Sequence, residues 1–176
     1  MADKVHIVRA EQATEFKDTV THPWNPANVV AGTQLGRAVG LERLRVNVVR
    51  VPPGGVASVY HTHQTEEEWL YVLEGKGVIE IDDHEYFLSP GDFAGFPAGS
   101  APRQLRNPFQ QPLICLQGGE NQDVDITDFP RMGKRMYRHG DTVEVYDTAD
   151  AEEIAPADLD EVVTTTWRRS LARDRS

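Results

Sequence analysis

The sequence predicts an all-β domain, and three observations carry that expectation. From Leu44 to about Gln117 the dominant apolar repeat is two, the period of a strand with one buried face. The runs are short and β-rich, and Gly, Pro and Asp signals separate them at spacings of about ten residues. Roughly eight such strands in one domain favour a sandwich, a jelly roll or a small closed barrel.

Residues 1–43 read as an N-terminal arm. A short helical candidate covers Glu11–Asp18, and an irregular stretch through Pro23, Trp24 and Pro26 follows, able to pack over a sheet. Leu44–Val51 alternates Leu44, Val46 and Val48 against Arg45, Asn47 and Val49, and the turn cluster Pro52-Pro53-Gly54-Gly55 ends it. Further strands are expected at Val56–His63, Trp69–Leu73, Val78–Ile81, Tyr86–Leu88, Asp92–Phe96, Arg103–Arg106 and Leu113–Leu116. Glu74-Gly75-Lys76-Gly77 and Asp82-Asp83-His84 read as hairpin connections, and Ser89-Pro90-Gly91-Asp92 as another turn. These strands define one β domain over 44–118. Residues 119–176 form an acidic extension with one strand, Thr142–Tyr146, and a helix over 157–171. In that helix Leu159, Val162, Val163, Trp167 and Leu171 recur at helical spacing, with Arg168, Arg169 and Arg173 towards the end where cations are favoured.

Composition narrows the function classes. The 176 residues suit one domain, with 39% hydrophobic and 26% charged residues. A net charge of −10 has the wrong sign for coating a phosphate backbone, so nucleic acid is not an expected partner. From Gly140 to Glu161 there are nine acidic residues and no Lys or Arg, so much of that charge is local to the C-terminal quarter. No run approaches the ~18 apolar residues of a membrane span, and residues 1–16 lack an apolar core of signal-peptide type. The expected setting is therefore cytoplasmic, with no membrane partner. The single cysteine, Cys115, lies in the apolar run Leu113–Leu116 and reads as a buried structural thiol.

The chemistry-bearing pattern is Gly55-x5-His61-x-His63-x4-Glu68-x6-Gly75. Two histidines at i and i+2 of a strand share one face with Cα atoms ~7 Å apart, and a carboxylate from the next strand can close a triangle with them. Two neutral imidazoles and a carboxylate form a facial set that leaves positions open, as catalytic Fe, Mn, Ni or Zn centres require. His22, His84 and His139 sit beside Pro23, in an Asp-Asp-His turn and in Arg-His-Gly-Asp, and read as exposed residues. Glu67 fits a shorter spacing, but the six-residue gap to Gly75 selects Glu68.

This pattern resembles the first motif of the cupin superfamily at every defined position. Gly91-x5-Pro97-x-Gly99 is similar to the start of the second, and the wording of both most resembles a group of single-domain bacterial cupins. The resemblance implies a double-stranded β-helix, a jelly-roll barrel whose mouth holds a metal on two His, one Glu and a final His. It also implies a homodimer and a small-molecule ligand, in a superfamily that mixes dioxygenases, isomerases, decarboxylases, epimerases and non-enzymatic binding proteins.

The second motif departs from the family. Its histidine should lie four residues before an asparagine, and counting back from Asn107 lands on Arg103. A guanidinium repels a divalent cation and has no lone pair to donate. If Leu105 packs inside the barrel, Arg103 also points inward, because the two share a strand face. Three arrangements are open: Arg103 pairs with Glu68 and replaces the metal; a divalent Zn, Fe, Mn or Ni stays on His61, His63 and Glu68 while Arg103 orients a substrate carboxylate; or Gln104 turns inward as an oxygen ligand. A surface position for Arg103 is the bland alternative. Two functions of different class follow, a binding protein with a vestigial or three-ligand metal site and a metal-dependent enzyme of dioxygenase, isomerase or lyase type. In either, Arg103, Tyr60 and Gln104 are the expected ligand contacts, with Trp69 or Tyr71 as further walls. A third reading is a structural dimer module with its interior filled by side chains.

Overall fold

The structure, a computed structural model, describes residues 5–22 and 24–152. The helix expected over 157–171 lies outside them. Residues 1–146 make one compact unit, and the described part of a second, 147–176, is a short 3-10 turn at Thr148–Asp150.

The expected helix at Glu11–Asp18 is only one turn, α1 (Ala10–Ala13). Thr14 ends it by donating its hydroxyl to the carbonyl of Ala10 at 3.0 Å, and the β-branched run Thr19-Val20-Thr21 then enters a strand. The irregular arm is likewise corrected to two strands, β1 (Asp18–His22) and β2 (Asn25–Gln34), which pair antiparallel. After α2 (Leu35–Ala38), β3 (Leu44–Val51) pairs with β2, so the arm widens the barrel sheet.

The barrel strands follow as β4 (Thr62–His63), β5 (Glu68–Glu74), β6 (Gly77–Ile81), β7 (His84–Leu88), β8 (Phe93–Phe96), β9 (Arg103–Arg106) and β10 (Leu113–Glu120). Beyond them lie β11 (Val124–Phe129), β12 (Lys134–His139) and β13 (Thr142–Asp147). Hydrogen bonding joins them as β1-β2-β3-β10-β5-β8, β13-β12-β11-β4 and β7-β6-β9. Among the described residues no helix is long and apolar enough to cross a membrane.

Val56–His63 is a strand only at its end. Before Thr62 it touches β9 through single bridges, Val56 to Arg106 and His61 to Arg103, and the carbonyl of Val59 is taken by the His61 ring rather than by a ladder. Gly118 and Gly119, read as the end of the barrel, instead lie within β10. A Cβ on Gly118 would stand 2.4 Å from the Trp69 ring, and one on Gly119 2.8 Å from the Glu67 carbonyl, so this glycine pair serves close packing rather than a turn. Gly75 does make a turn, with φ +77°, and a Cβ there would meet the Pro112 carbonyl at 2.1 Å.

The inner faces pack Val51, Leu70, Val72, Ile79, Leu88, Phe96, Leu105, Leu113 and Cys115 into one core. Each fully buried aliphatic side chain contributes about 1.5–3 kcal/mol of transfer free energy. Burial pushes the Cys115 thiol up to about 12. The folded protein is therefore expected to leave Cys115 unreacted with an aromatic disulfide reagent, with full reaction only after unfolding. Prompt reaction of the native protein would show the core to be open at β10.

Candidate functional site

The segment carrying the two histidines is clamped on both sides. The His61 amide donates to the Arg103 carbonyl at 3.1 Å, and the Arg103 amide donates back at 2.9 Å. Thr62 and His63 pair with Asp128 and Thr127 of β11, and the Gly99 amide donates to the His63 carbonyl at 2.8 Å. Extended backbone then puts both imidazoles on one face, with ring centroids 5.2 Å apart.

Hydrogen bonds set which nitrogen each ring presents. Nδ1 of His61 lies 2.6 Å from the Val59 carbonyl, which can only accept, so Nδ1 carries the proton. Nδ1 of His63 lies 2.6 Å from the Asp125 carboxylate and donates in the same way. Both rings therefore turn Nε2 towards Glu68, His61 at 3.8 Å from Oε2 and His63 at 3.4 Å from Oε1. Glu68 opens β5 on the face it shares with buried Leu70 and Val72. His61, His63 and Glu68 each offer a ligand atom, and these atoms all lie within 4.8 Å of one another.

Arg103 points inward, is only 4% exposed, and pairs with Glu68 Oε2. Its guanidinium also lies over the Phe96 ring, 4.9 Å from the centroid. A second guanidinium arrives from β3, where Arg45 sits 3.4 Å from Glu68 Oε1 and pairs with Glu66. Glu66 is fully buried, and it also accepts from Arg138 of β12 and from the Gln122 amide. The chain Arg103–Glu68–Arg45–Glu66–Arg138 thus sets three guanidiniums against two carboxylates.

These contacts move the titrations in opposite directions. Burial holds the His61 pKa below its ordinary value, because the cost of desolvating an imidazolium exceeds the help from Glu68. Burial acts on His63 too, but the hydrogen bonds from Asp125 and Glu68 outweigh it and its pKa rises. Glu68 and Asp125 are held well below the carboxylate range: burial opposes ionisation, and the facing histidines, with Arg103 beside Glu68, overcome it.

The cluster opens into a cavity of about 150 Å³, walled by Arg45, Asn47, His61, Glu68, Arg103 and Gln117 among others. A larger chamber of about 390 Å³ adjoins it, shares Arg45, Asn47, Ala57 and Ser58, and is otherwise lined largely from β1 and β2. The barrel interior is thus not filled by side chains. On β3 the polar set of the alternation, Arg45 and Asn47, is the one that faces the cavity.

Two expected ligand contacts lie elsewhere. Tyr60 is buried away from the cavity under the Arg131 guanidinium, 3.8 Å from its ring centroid, and its hydroxyl accepts from the Asp83 amide at 3.3 Å. Gln104 turns to the face opposite Arg103 and donates to the Ser58 carbonyl at 2.9 Å, so it is not presented to the three ligand atoms. Trp69 borders the cavity and Tyr71 is 40% exposed. Glu67 is exposed. His22 is half-buried beside Trp24 and Phe129 and lines the larger chamber, not the exposed surface expected of it.

Sequence reasoning missed Arg45, Glu66 and Asp125. The available signal was alternation in Val124–Phe129, but its sense is inverted: Asp125, Thr127 and Phe129 are the buried set. Polar residues at the buried positions of a strand mark a satisfied internal network, here Asp125 with His63, Thr65 and Thr127.

The fold and the cluster together define an all-β protein with a histidine–histidine–carboxylate set facing an interior cavity. The model of the cupin domain matches residues 47–117. A crystal structure of a candidate sugar phosphate isomerase from Acidithiobacillus ferrooxidans is 34% identical over 85% of this chain and 96% of that one, with a TM-score of 0.82. The chain belongs to the cupin superfamily. A sugar phosphate isomerase of the same superfamily from Silicibacter pomeroyi is 28% identical over 78% of this chain and 90% of that one, with a TM-score of 0.71. The mannose-1-phosphate guanylyltransferase of Escherichia coli is 30% identical over 64% of this chain. This chain spans only 22% of that relative's length.

Proposed function

We propose that the barrel cavity binds a small phosphorylated sugar. The observation that carries this reading is the charge of the wall: among the described residues that line the cavity, the guanidiniums of Arg45 and Arg103 both reach its one carboxylate, Glu68, so two cations face one anion there. A fixed, partly desolvated guanidinium pair is the chemistry that holds phosphate. The names of the similar proteins, sugar phosphate isomerases and a mannose-1-phosphate guanylyltransferase, support the same substrate class. Arg45→Met is expected to weaken binding of aldose phosphates about tenfold by calorimetry at low salt, the loss of one charge-assisted contact. Equal affinity in Arg45→Met, or no binding of any sugar phosphate by the native chain, would sink the reading.

A second reading adds a divalent metal and isomerase activity, favoured by the hydrogen bonds that aim both Nε2 atoms at Glu68. His61, His63 and Glu68 would hold the ion, with Arg103 paired to Glu68 beside it. Such an ion supplies a Lewis acid for a sugar carbonyl. Asp125 and the Val59 carbonyl keep the imidazoles in the ligating tautomer, and Arg103 keeps Glu68 ionised. We also propose that the chain is a homodimer. Tyr71 and Phe93 pair across β5 and β8, Leu73 follows on the same face, and all three are exposed apolar side chains of the kind a second copy covers.

A further inference from the structure

We infer that a row of three amides, Gln34, Asn47 and Gln117, forms a subsite that reads the hydroxyl groups of the sugar. Asn47 of β3 is paired in register with Gln34 of β2 on one side and with Gln117 of β10 on the other. Gln117 in turn pairs with Leu70 of β5, two residues along from Glu68. Directly opposed residues of antiparallel strands project to one face, so the three amides stand side by side across three strands. That face is the interior: Asn47 and Gln117 line the cavity that holds Glu68, while Gln34 and Asn47 line the adjoining chamber. The row therefore runs from beside the histidine–carboxylate cluster into the second chamber, without a break.

Among the described residues none of these three side-chain amides is hydrogen-bonded within the chain. Asn47 and Gln117 are half-buried on the cavity wall, and Gln34 is exposed at the outer end of the row. The same inner face of β3 and β10 carries Val51, Leu113 and Cys115, all fully buried, so the amides interrupt an apolar surface that would pack more stably without them. An amide offers a donor and an acceptor and no charge, which matches a hydroxyl and gives nothing extra to an ion. Strand spacing sets the amides ~4.8 Å apart, so the row covers about 10 Å, comparable to an extended six-carbon sugar. Ser58, which lines both chambers, offers a further hydroxyl at their junction. The ligand class is thus a polyhydroxylated chain or ring whose reactive end meets Glu68. The anionic end of that ligand rests on the sugar-phosphate reading above; the hydroxyl recognition rests on the amide row alone.

The test is a calorimetric panel on the full chain: D-glucose 6-phosphate, D-mannose 6-phosphate, D-ribose 5-phosphate, the three corresponding free sugars, and n-hexyl phosphate, which keeps the anion and lacks the hydroxyls. The native protein is expected to bind its best sugar phosphate at least tenfold more tightly than n-hexyl phosphate. Asn47→Leu/Gln117→Met should reduce that preference to twofold or less without weakening n-hexyl phosphate. Gln117→Met alone, close to isosteric, should lose about tenfold for the sugar phosphate and serves if the double variant fails to fold. Equal affinity of the native chain for sugar phosphate and n-hexyl phosphate would overturn the amide row while leaving the phosphate reading intact. Binding of free sugars, lost in the variants, with no binding of n-hexyl phosphate would uphold the row and overturn the phosphate reading. No binding by any of the seven compounds overturns both.

Discussion

Arg103→His is expected to raise the affinity for a divalent metal on the order of 10²-fold and to weaken sugar phosphate binding more than tenfold. Arg103 stands four residues before Asn107, where the family pattern places its last histidine, and the bridge between His61 and Arg103 holds that position beside the first ligand. The substitution removes a fixed positive charge from beside the three donors and supplies a fourth lone pair. It also takes from Glu68 the guanidinium that pairs with Oε2, leaving Arg45 at 3.4 Å as its remaining guanidinium. Chelator competition with Mn or Zn reads the first effect and calorimetry with an aldose phosphate the second. Unchanged metal affinity would mean that Arg103 does not occupy the fourth-ligand position in any functional sense.

Asp125→Asn is expected to cost 10- to 100-fold in metal affinity although Asp125 faces away from Glu68. Its carboxylate is the acceptor that fixes the His63 ring, and an amide in its place can present an N–H that opposes the ligating tautomer. In chelator-treated protein the same substitution should lower stability by about 2 kcal/mol near pH 5.5, the worth of a hydrogen bond between charged groups. The sign of its pH dependence follows from the two titrations. Asp125 is held below its ordinary range in the folded state, so its contribution is present above about pH 4 and lost as pH falls. His63 is raised, so its contribution is present below about pH 6.5 and lost as pH rises through its higher folded value. The gap between native and Asp125→Asn in urea unfolding should therefore be widest between about pH 4 and 6.5 and shrink on both sides. A gap that is flat from pH 3 to 9 would show that His63 and Asp125 are not ionically paired.

The barrel strands and the three-donor motif were legible because each rests on a local signal. Strand β3 has the predicted limits, Leu44–Val51, and β9 has Arg103–Arg106, because alternation is complete there and turns flank it. The inward direction of Arg103 followed from its sharing a face with Leu105. What escaped the reading depends on partners distant in sequence. Asp125 is found through His63, 62 positions away, and its burial inverts the hydrophobic rule on β11. Alternation on β3 does not tell which set faces the cavity, and the contacts of Arg45 with Glu66 and Glu68 decide it. The arm looked irregular because its prolines obscure a hairpin whose second strand pairs with β3. Tyr60 seemed a ligand contact by its place beside His61, but alternation sends it to the opposite side, where Arg131 covers it.

Binding inside the barrel is read directly from a crystal structure of the chain soaked with D-mannose 6-phosphate, D-glucose 6-phosphate and D-ribose 5-phosphate in turn. The expected result is a sugar phosphate inside the barrel, with an anionic oxygen on Arg45 or Arg103, one end beside Glu68 and hydroxyls on Asn47 and Gln117. A cavity that stays closed around the Arg103–Glu68 pair under all three soaks, with any bound ligand outside the barrel, would contradict it.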